Sequence, residues 1–363
     1  MGKILSKASY PAFAIVLLTV LFSCQKNVEK TTAANEEIAT KAIPPQELKD
    51  FVQVNLVGDN DEYSPAHINP NMVNGWGISF PASGPAWVSA EGSGKSLVLN
   101  GDGTPIAISP VSIPGAGTST VGHPTGQVNN GTTDFKLPNG NPARFIFAGA
   151  DGVISGCNGG TAAIKMVDDA PDASYLGIAL ANDGGNNFLY VANFAEKWAE
   201  VSKPFTDPDL PSDYSPFNIQ NVGGQLFVMY SKLGDDGDEV VSPGNGYVDI
   251  YNPNGSLMRR FISRGQLNAP WGVAKAPAGF WGEGSSTSDV FLVGNFGDGH
   301  INAYGDNGNF LGQLRQHGEP IVIEGLWGIA FAPSSSTALN HNWLFFAAGP
   351  DDEEHGLFGY IKK

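Results

Sequence analysis

Short apolar runs alternate with polar, glycine-rich segments along most of the chain, which is the pattern of short strands joined by turns. Trp-Gly followed by an aliphatic and a small residue occurs three times: NGWGISF (74–80), APWGVAK (269–275) and GLWGIAF (325–331). Three further segments place Gly126, Gly177 and Asn218 where this repeat has its glycine. Consecutive positions are 41 to 56 residues apart. That spacing is typical of a four-stranded propeller blade, and six such units are predicted.

Each unit continues with an apolar run that predicts its second strand. These runs are AWVSA (86–90), RFIFAG (144–149), FLYVAN (188–193), QLFVMY (225–230), VFLVGN (290–295) and WLFFAAG (343–349). A third strand follows in each unit, with EKWAEV (196–201) as the divergent copy, and most units then have a turn rich in glycine and asparagine. These residues favour the backbone conformations of tight hairpins. The pattern therefore predicts an all-β protein.

The sixth unit ends after its third strand, so its fourth strand must come from elsewhere. Residues 51–57 (FVQVNLV) are apolar at alternate positions and precede the first unit. We therefore predict a six-bladed β-propeller over residues 49–363, with the ring closed by the N-terminal strand 51–57 joining the sixth blade. The predicted blades lie near 72–120, 121–170, 171–214, 215–266, 267–322 and 323–363.

The repeats resemble those of NHL-type propellers, whose consensus contains Pro-x-Gly-Ile/Val-Ala and later Tyr-Val-Ala-Asp. APWGVA and LYVANF match this consensus best. Longer stretches, including SPGNGYVDIY and GNFGDGHINAY, are similar to a family of exported bacterial proteins, over most of residues 51–361. This resemblance implies a propeller fold and export. It implies no particular activity.

The N-terminus has the layout of a lipoprotein signal. Lys3 and Lys7 precede an apolar run over residues 12–22, which is shorter than the roughly 20 residues that a membrane-spanning helix needs. The run ends at Leu21-Phe22-Ser23-Cys24, which resembles a lipobox; the alternative is an ordinary secreted protein with a coincidental cysteine. We predict a signal peptide at 1–23 and lipidation of Cys24. The polar residues 24–48 would form a flexible tether.

The residue after the lipidated cysteine bears on the membrane that holds it. Gln25 stands where aspartate would favour retention at an inner membrane, so by resemblance to other lipoproteins an outer membrane is predicted, on its periplasmic or cell-surface face. With Cys24 lipidated, only Cys157 remains, and a disulfide within the body is excluded. Cys157 is predicted to be a buried apolar residue.

Charge narrows the range of partners. The net charge is −16 with 20 basic and 36 acidic residues, so nucleic acid is not an expected partner. Twelve carboxylates fall in the predicted loops between second and third strands, which would share one face of the propeller with the starts of the first strands. They are Glu91, Asp151, Glu196, Asp235, Asp236, Asp238, Glu239, Asp298, Asp351, Asp352, Glu353 and Glu354. Such a face suits Ca²⁺ or a cationic ligand; the alternative is a solvated acidic rim.

Six of these aspartates are candidate metal ligands, because hard cations take oxygen ligands. They are Asp235, Asp236, Asp238, Asp298, Asp351 and Asp352, and Ca²⁺ is the cofactor they would hold. Six-bladed lactonase and gluconolactonase enzymes hold a central Ca²⁺ through glutamate and asparagine side chains. Here His123, Asn193, Asn218 and Asn295, together with Asn74, fall near the predicted channel mouth. The glutamate and asparagine motifs of that enzyme family are not recognisable in this chain.

The three tryptophans of the repeat, Trp76, Trp271 and Trp327, come from units that are neighbours in a closed ring. They would form either a stacking surface for a sugar or peptide, or a plug in the hub of the propeller. The sequence contains no recognisable catalytic motif. The predicted function is a binding module that presents an acidic, Trp-lined face to a protein, peptide or glycan. The alternative is a Ca²⁺-dependent hydrolase of the lactonase type at the channel mouth.

Overall fold

Apart from two short 3₁₀ helices, Glu91–Ser93 and Ala278–Trp281, all the regular secondary structure that is described is β-strand. The structure is a computed structural model that describes residues 48–195, 205–282 and 289–363. Within these ranges, no helix has both the length and the apolar character needed to span a bilayer. The predicted signal peptide, Cys24 and almost all of the predicted tether lie outside the described residues.

The strands follow the predicted runs closely. The first half of the chain contains β1 (Val52–Gly58), β2 (His67–Ile68), β3 (Gly75–Ser79), β4 (Ala86–Ala90), β5 (Lys95–Leu99), β6 (Val111–Ser112), β7 (Pro124–Asn129), β8 (Phe145–Gly149), β9 (Val153–Cys157), β10 (Ile164–Asp168), β11 (Tyr175–Asp183) and β12 (Asn186–Asn193). The second half contains β13 (Tyr214–Val222), β14 (Gln225–Lys232), β15 (Tyr247–Tyr251), β16 (Leu257–Ser263), β17 (Pro270–Lys275), β18 (Val290–Asn295), β19 (Ile301–Gly305), β20 (Phe310–Gln313), β21 (Arg315–Gln316), β22 (Glu319–Pro320), β23 (Leu326–Phe331), β24 (Leu344–Ala348) and β25 (Leu357–Lys362).

Five sheets of four or five strands are present: β3–β6, β7–β10, β13–β16, β17–β20, and a sheet in the order β2-β1-β25-β24-β23. The third predicted unit contributes only a two-stranded sheet, β11 and β12. Its predicted third strand, residues 196–201, lies outside the described residues. The described part of the chain therefore shows an all-β propeller with five blades, where six were predicted.

The N-terminal strand pairs with the C-terminal strand as the alternation of residues 51–57 predicts. β1 runs antiparallel to β25, from Val52 opposite Lys362 to Gly58 opposite Leu357. Backbone hydrogen bonds between Phe51 and Arg315 and between Arg315 and Leu48 extend this attachment. The two ends of the described chain are thus held in one sheet.

Middle strands are buried on both faces, which explains why they appear in the sequence as continuous apolar runs. All five residues of β4, β8, β15 and β24 are buried, because each blade packs between two others. Cys157 is buried against Trp87 and Phe147 in one of these layers, as predicted, and its burial raises the pKa of the thiol.

The glycine of the repeat lies where adjacent first strands come closest together. A Cβ on Gly77 would lie 2.5 Å from the backbone oxygen of Thr125, and one on Gly126 would lie 2.9 Å from the Cα of Gly177. A Cβ on Gly328 would lie 2.4 Å from the oxygen of Trp76. Each of the six first strands also has an irregularity in its pairing with the second strand at this position. The repeat is therefore first a packing device, in which a bulge and a missing side chain let the strands converge.

A buried ionic group joins the fourth unit to the segment that precedes it. The guanidinium of Arg260 pairs with Asp249, which is fully buried, and with Asp207, which is almost so. Tyr251 donates a hydrogen bond to Asp249 and contacts the hydroxyl of Tyr230. Burial raises the pKa of Asp249 to about 7, while the charge of Arg260 opposes the shift.

Candidate functional site

One end of the propeller, here called the top face, carries the starts of the first strands and the loops between second and third strands. The same backbone hydrogen bond joins these two segments in each unit. The N–H of the residue after the second strand donates to the carbonyl oxygen of the residue before the first strand. The pairs are Glu91 to Asn74, Ala150 to His123, Phe194 to Ser174, Leu233 to Asp213, Phe296 to Ala269 and Gly349 to Gly325. The predicted acidic loops therefore start beside the starts of the first strands.

The three repeated tryptophans fill the hub. Trp76 stacks on Trp327 with ring centroids 3.4 Å apart, and Trp271 lies edge-on to both at 5.9 and 6.0 Å. Only 5%, 3% and 1% of Trp76, Trp271 and Trp327 are exposed. The indoles form no exposed surface, so the prediction of a stacking platform is wrong and the alternative of a hub plug describes the molecule. Propeller axes are narrow, and large apolar side chains fill them well.

Below the top face, a hydrogen-bonded series of polar side chains crosses three units. His123 Nδ1 lies 2.6 Å from Glu91 Oε1. Asn74 Nδ2 donates to Glu91 Oε2 at 3.0 Å and to Glu353 Oε2 at 2.7 Å. Asn74 is 2% exposed, so one buried amide holds the two carboxylates close to each other. Neither carboxylate has a lysine or arginine partner among the described residues.

A cavity of about 600 Å³ opens on the same face, and we call it the top cavity. Five carboxylates line it, those of Glu239, Asp298, Glu324, Asp352 and Glu353, and none of its described lining residues is basic. Val241, Phe296 and Val322 supply an apolar wall. The neighbouring Lys232 is paired with Asp213 at 3.3 Å.

Two of the glutamates that line the top cavity have strongly shifted pKa values. Burial, followed by repulsion from Glu353, Asp238 and Asp236, raises the pKa of Glu239 to about 7. Burial also raises the pKa of Glu353 to about 7, where the hydrogen bond from Asn74 opposes the shift and Glu91, Asp238 and Asp352 add to it. Each of the two glutamates therefore titrates near neutral pH. Such raised pKa values occur in functional carboxylates and also in structural ones.

The loop that carries Glu353 has an unusual backbone. Asp351, Asp352 and Glu353 have φ values of +55°, +50° and +68°, so three consecutive residues with side chains are left-handed. Each costs roughly 1–2 kcal/mol relative to a right-handed conformation. The turn is held from outside by His355, whose Nδ1 lies 2.8 Å from Asp59 Oδ2 and whose pKa is raised by that hydrogen bond. The strained backbone therefore lies in the segment that brings Glu353 to the cavity.

The six predicted metal ligands do not assemble into a metal centre. Asp235 is exposed, Asp236 accepts a hydrogen bond from the backbone of Asp238, and Asp298 lies beside His300 at 3.3 Å. Asp351 lies 3.8 Å from His355, and Asp352 is exposed at the cavity. Across the described ranges, no group of three or more histidine, cysteine or acidic side chains is arranged to hold a metal ion. Of the other predicted carboxylates, Glu196 lies outside those ranges.

The predicted polar ligands at the channel mouth are separate from one another. Asn193 Oδ1 accepts from Ser174 N, which braces the start of β11. Asn218 Nδ2 donates to the oxygen of Trp271 at 2.7 Å and so links the fourth and fifth units. Asn295 Nδ2 donates to Gln266 O and to Asp298. These three amides connect strands, whereas His123 and Asn74 belong to the polar series near the top cavity.

The sequence placed Glu239 and Glu353 on the acidic face but favoured only aspartates as ligands, and it did not single out Glu324. Glu239 and Glu353 end the segments DDGDE and DDE, and Glu324 precedes the third Trp-Gly. Resemblance of DDGDE to a calcium loop favoured the aspartates. The only signal in the sequence for these glutamates was their position near the ends of the loops. Which carboxylates face the cavity depends on burial, and the sequence does not show burial.

Comparison with known proteins gives relatives without a described activity. No protein-family model matches the chain. Uncharacterized protein L690 of Acanthamoeba polyphaga mimivirus is 30% identical over 342 residues, covering 86% of each chain. Uncharacterized protein R648 of the same virus is 30% identical over 347 residues, covering 86% of this chain and 80% of its own.

Solved structures with the same architecture are propellers of low identity. The α-L-arabinanase of Penicillium chrysogenum, complexed with arabinobiose, has a TM-score of 0.51 and 13% identity, and the match covers 85% of this chain and 97% of the arabinanase. Virginiamycin B lyase from Staphylococcus aureus has a TM-score of 0.46 and 11% identity over 86% of this chain and 99% of the lyase. At such identities the likeness shows the fold alone. The predicted NHL-type and exported bacterial relationship stays a prediction, since the relatives found are viral.

Proposed function

The chain belongs to the family of the mimivirus proteins L690 and R648, and on that premise we propose that it is a propeller that binds a cationic ligand in the top cavity. The observation that carries this proposal is a cavity of about 600 Å³ lined by five carboxylates with no basic side chain among its described lining. A concave surface with one sign of charge concentrates ions of the opposite sign. The proposed binding region is therefore this one cavity and not the whole of the predicted acidic face.

The ligand is an organic ammonium or guanidinium group, such as a basic side chain of a peptide. The cavity is far larger than a metal ion, and the apolar wall of Val241, Phe296 and Val322 fits a carbon skeleton beside the charge. Phe296 is stacked on Trp327 at 4.0 Å, so its ring is fixed where a cation can lie against it. A small hard cation would need converging oxygen ligands instead.

The test is equilibrium binding by residues 45–363 at pH 8, with spermidine as the cationic probe and Ca²⁺ as the comparison. Glu353→Gln and Glu239→Gln should each weaken spermidine binding about tenfold, because each removes a charge that faces the ligand. Asp306→Asn is the matched control, since it makes the same charge change in an exposed turn between β19 and β20. Equal weakening in all three variants would show only non-specific charge attraction.

The same measurement addresses the hydrolase alternative. Tight saturation by Ca²⁺, together with Ca²⁺-dependent hydrolysis of a lactone or aryl ester, would favour an enzyme of the lactonase type. Absence of spermidine binding, with or without Ca²⁺ binding, would overturn the proposal.

We also propose that six units form one closed ring, the third of them built on β11 and β12. First strands contact one another in every neighbouring pair of units. The repeat glycines make the contacts between units one and two, two and three, three and four, five and six, and six and one. The Asn218–Trp271 hydrogen bond links units four and five. Pairing of β1 with β25 supports closure. Deleting residues 48–58 should therefore lower the unfolding midpoint sharply; an unchanged midpoint would contradict closure by this strand.

Attachment to an outer membrane through lipid on Cys24 rests on the sequence of the first 25 residues. One lipid chain gives weak binding and further chains strengthen it. Expression of the full chain in a bacterial host, followed by mass spectrometry of the N-terminal peptide, should show lipid on Cys24 and its loss in Cys24→Ser. An unmodified Cys24 with cleavage elsewhere would favour the secreted alternative.

A further inference from the structure

A second cavity lies at the opposite end of the hub, where the first strands end, and we call it the bottom cavity. Its volume is about 320 Å³, which is at the lower end of the usual range for small-molecule sites. All six first strands line it. Five of them contribute residues at or beyond the glycine position of the repeat, and β17 contributes Trp271, which lies just before that position. It differs from the top cavity because it is an axial site to which every unit contributes.

The wall of the bottom cavity is polar and uncharged. Its polar side chains are the hydroxyl of Ser79 and the amides of Gln127, Asn129, Asn218, Gln220 and Asn221. None of the described residues that line it is ionisable. A charged ligand would lose its hydration there without gaining a counter-charge, so the chemistry favours a neutral ligand.

Part of the amide set is used by the fold. Gln127 Nε2 donates to the oxygen of Gly77 at 2.8 Å, and Asn218 Nδ2 donates to Trp271 O. Asn221 Nδ2 donates to Leu180 O at 2.8 Å. These bonds fix the wall in one arrangement, as a pre-formed binding site requires.

Three polar groups of the wall remain available. Ser79 is 7% exposed and Trp271 is 3% exposed, and neither Ser79 Oγ nor Trp271 Nε1 has a hydrogen-bond partner in the described part of the chain. Gln220 Oε1 accepts from Val273 N at 2.6 Å, while its Nε2 has no partner among the same residues. A buried donor or acceptor without a partner is unfavourable, so a ligand that pairs with Ser79 Oγ or Trp271 Nε1 gains affinity, while half-buried Gln220 offers a donor that is open to solvent.

We propose that the bottom cavity binds a neutral saccharide. Hydroxyl groups both donate and accept, so they match a wall that offers an amide donor, an indole donor and a serine hydroxyl. Ile78, Phe80 and Ile329 supply apolar contacts for the C–H faces of a sugar ring. This proposal is independent of cation binding in the top cavity, because the packed indoles of the hub lie between the two sites.

The test is titration of the protein with a panel of neutral disaccharides containing glucose, galactose, arabinose or N-acetylglucosamine, followed by tryptophan fluorescence and calorimetry. Binding of at least one member should change the emission of Trp271. Gln220→Glu should weaken that binding about tenfold, because it keeps the oxygen that accepts from Val273 but removes the amide donor. Ser79→Ala should weaken it by a smaller factor.

Glu353→Gln is the matched control and should leave saccharide binding unchanged, since Glu353 lines the top cavity. Circular dichroism and the unfolding midpoint establish that Gln220→Glu and Ser79→Ala are folded. The proposal is overturned if no panel member binds at concentrations up to about 10 mM, a limit that corresponds to negligible affinity. It is equally overturned if binding is weakened by Glu353→Gln and unaffected by both bottom-cavity variants.

Discussion

The two ends of the hub are built from the same six first strands, yet they offer opposite chemistry. Five carboxylates line the top cavity, and two of them have a pKa of about 7. The bottom cavity has amides, one hydroxyl and no ionisable side chain among its described lining. The difference follows from where the lining originates: loops supply the charged side chains at the top, whereas strand residues supply the neutral ones at the bottom.

This contrast indicates how one propeller frame carries two kinds of site. Loop residues vary without disturbing the pairing of strands, so charge can accumulate at the top at little cost to the fold. Strand residues at the bottom also hold neighbouring units together through side-chain amides. Side chains there are constrained by packing and hydrogen bonding, and a charge among them would be desolvated.

The largest effect is expected from the indole plug that separates the two cavities. Trp327→Ala removes a side chain that is 1% exposed and stacked between Trp76 and Phe296. Truncating a buried tryptophan costs about 3–5 kcal/mol of unfolding free energy. Chemical denaturation measures it. Trp343→Ala, at a half-buried position stacked on Tyr360, should cost clearly less; equal losses would show that the hub is not specially packed.

A smaller loss is expected where first strands converge. Gly77→Ala would place a Cβ 2.5 Å from the backbone oxygen of Thr125, so the two first strands must separate. Overpacking of this kind costs about 1–3 kcal/mol, measured by denaturation. Gly131→Ala is the control, because nothing lies within 4 Å of its added Cβ. A neutral Gly77→Ala would mean that the repeat glycine is not needed for packing.

The pH dependence of stability should distinguish the ends of the hub. Native Glu239 and Glu353 have pKa values of about 7, above the ordinary value of 4.5, so the native state holds more protons between these limits. Their contribution to stability is therefore full below pH 4.5 and is lost as the pH rises through about 7. Glu353→Gln should flatten the curve of unfolding midpoint against pH in this range.

Asp249 contributes a pH dependence of the same sign to wild type and to Glu353→Gln, because its pKa is also raised to about 7. The difference between wild type and Glu353→Gln removes that background. Superimposable curves would contradict the interpretation that the top glutamates are buried against one another. Gln220→Glu should instead add a new pH dependence at the bottom cavity.

The smallest effect is expected from Ser79→Ala. Because Ser79 Oγ is buried without a partner in the described part of the chain, its removal should lower the unfolding free energy by no more than about 0.5 kcal/mol or should raise it. Denaturation in the absence of sugar measures it. A loss well above that value would indicate a structural hydrogen bond at Ser79 and would weaken the case for its role in ligand binding.

Much of the fold was predictable because blade strands are buried on both faces and therefore produce short apolar runs of regular spacing. AWVSA predicted β4 residue for residue, and QLFVMY forms most of β14. The site was less predictable. Trp76, Trp271 and Trp327 share a motif whether they plug the hub or line a surface, and only their position relative to the axis separates these outcomes.

The sequence by itself determined the repeat, the strand order, the pairing of residues 51–57 with the last unit and the acidic character of the loops, since these depend on local pattern and composition. Tertiary structure alone decided which carboxylates face a common cavity, and that the six predicted metal ligands do not converge. It also decided that an uncharged cavity lies beneath the indoles. Such features depend on distances between residues more than two hundred positions apart, as between Asn74 and Glu353. Local pattern carries no information about those distances, because packing of the whole fold sets them.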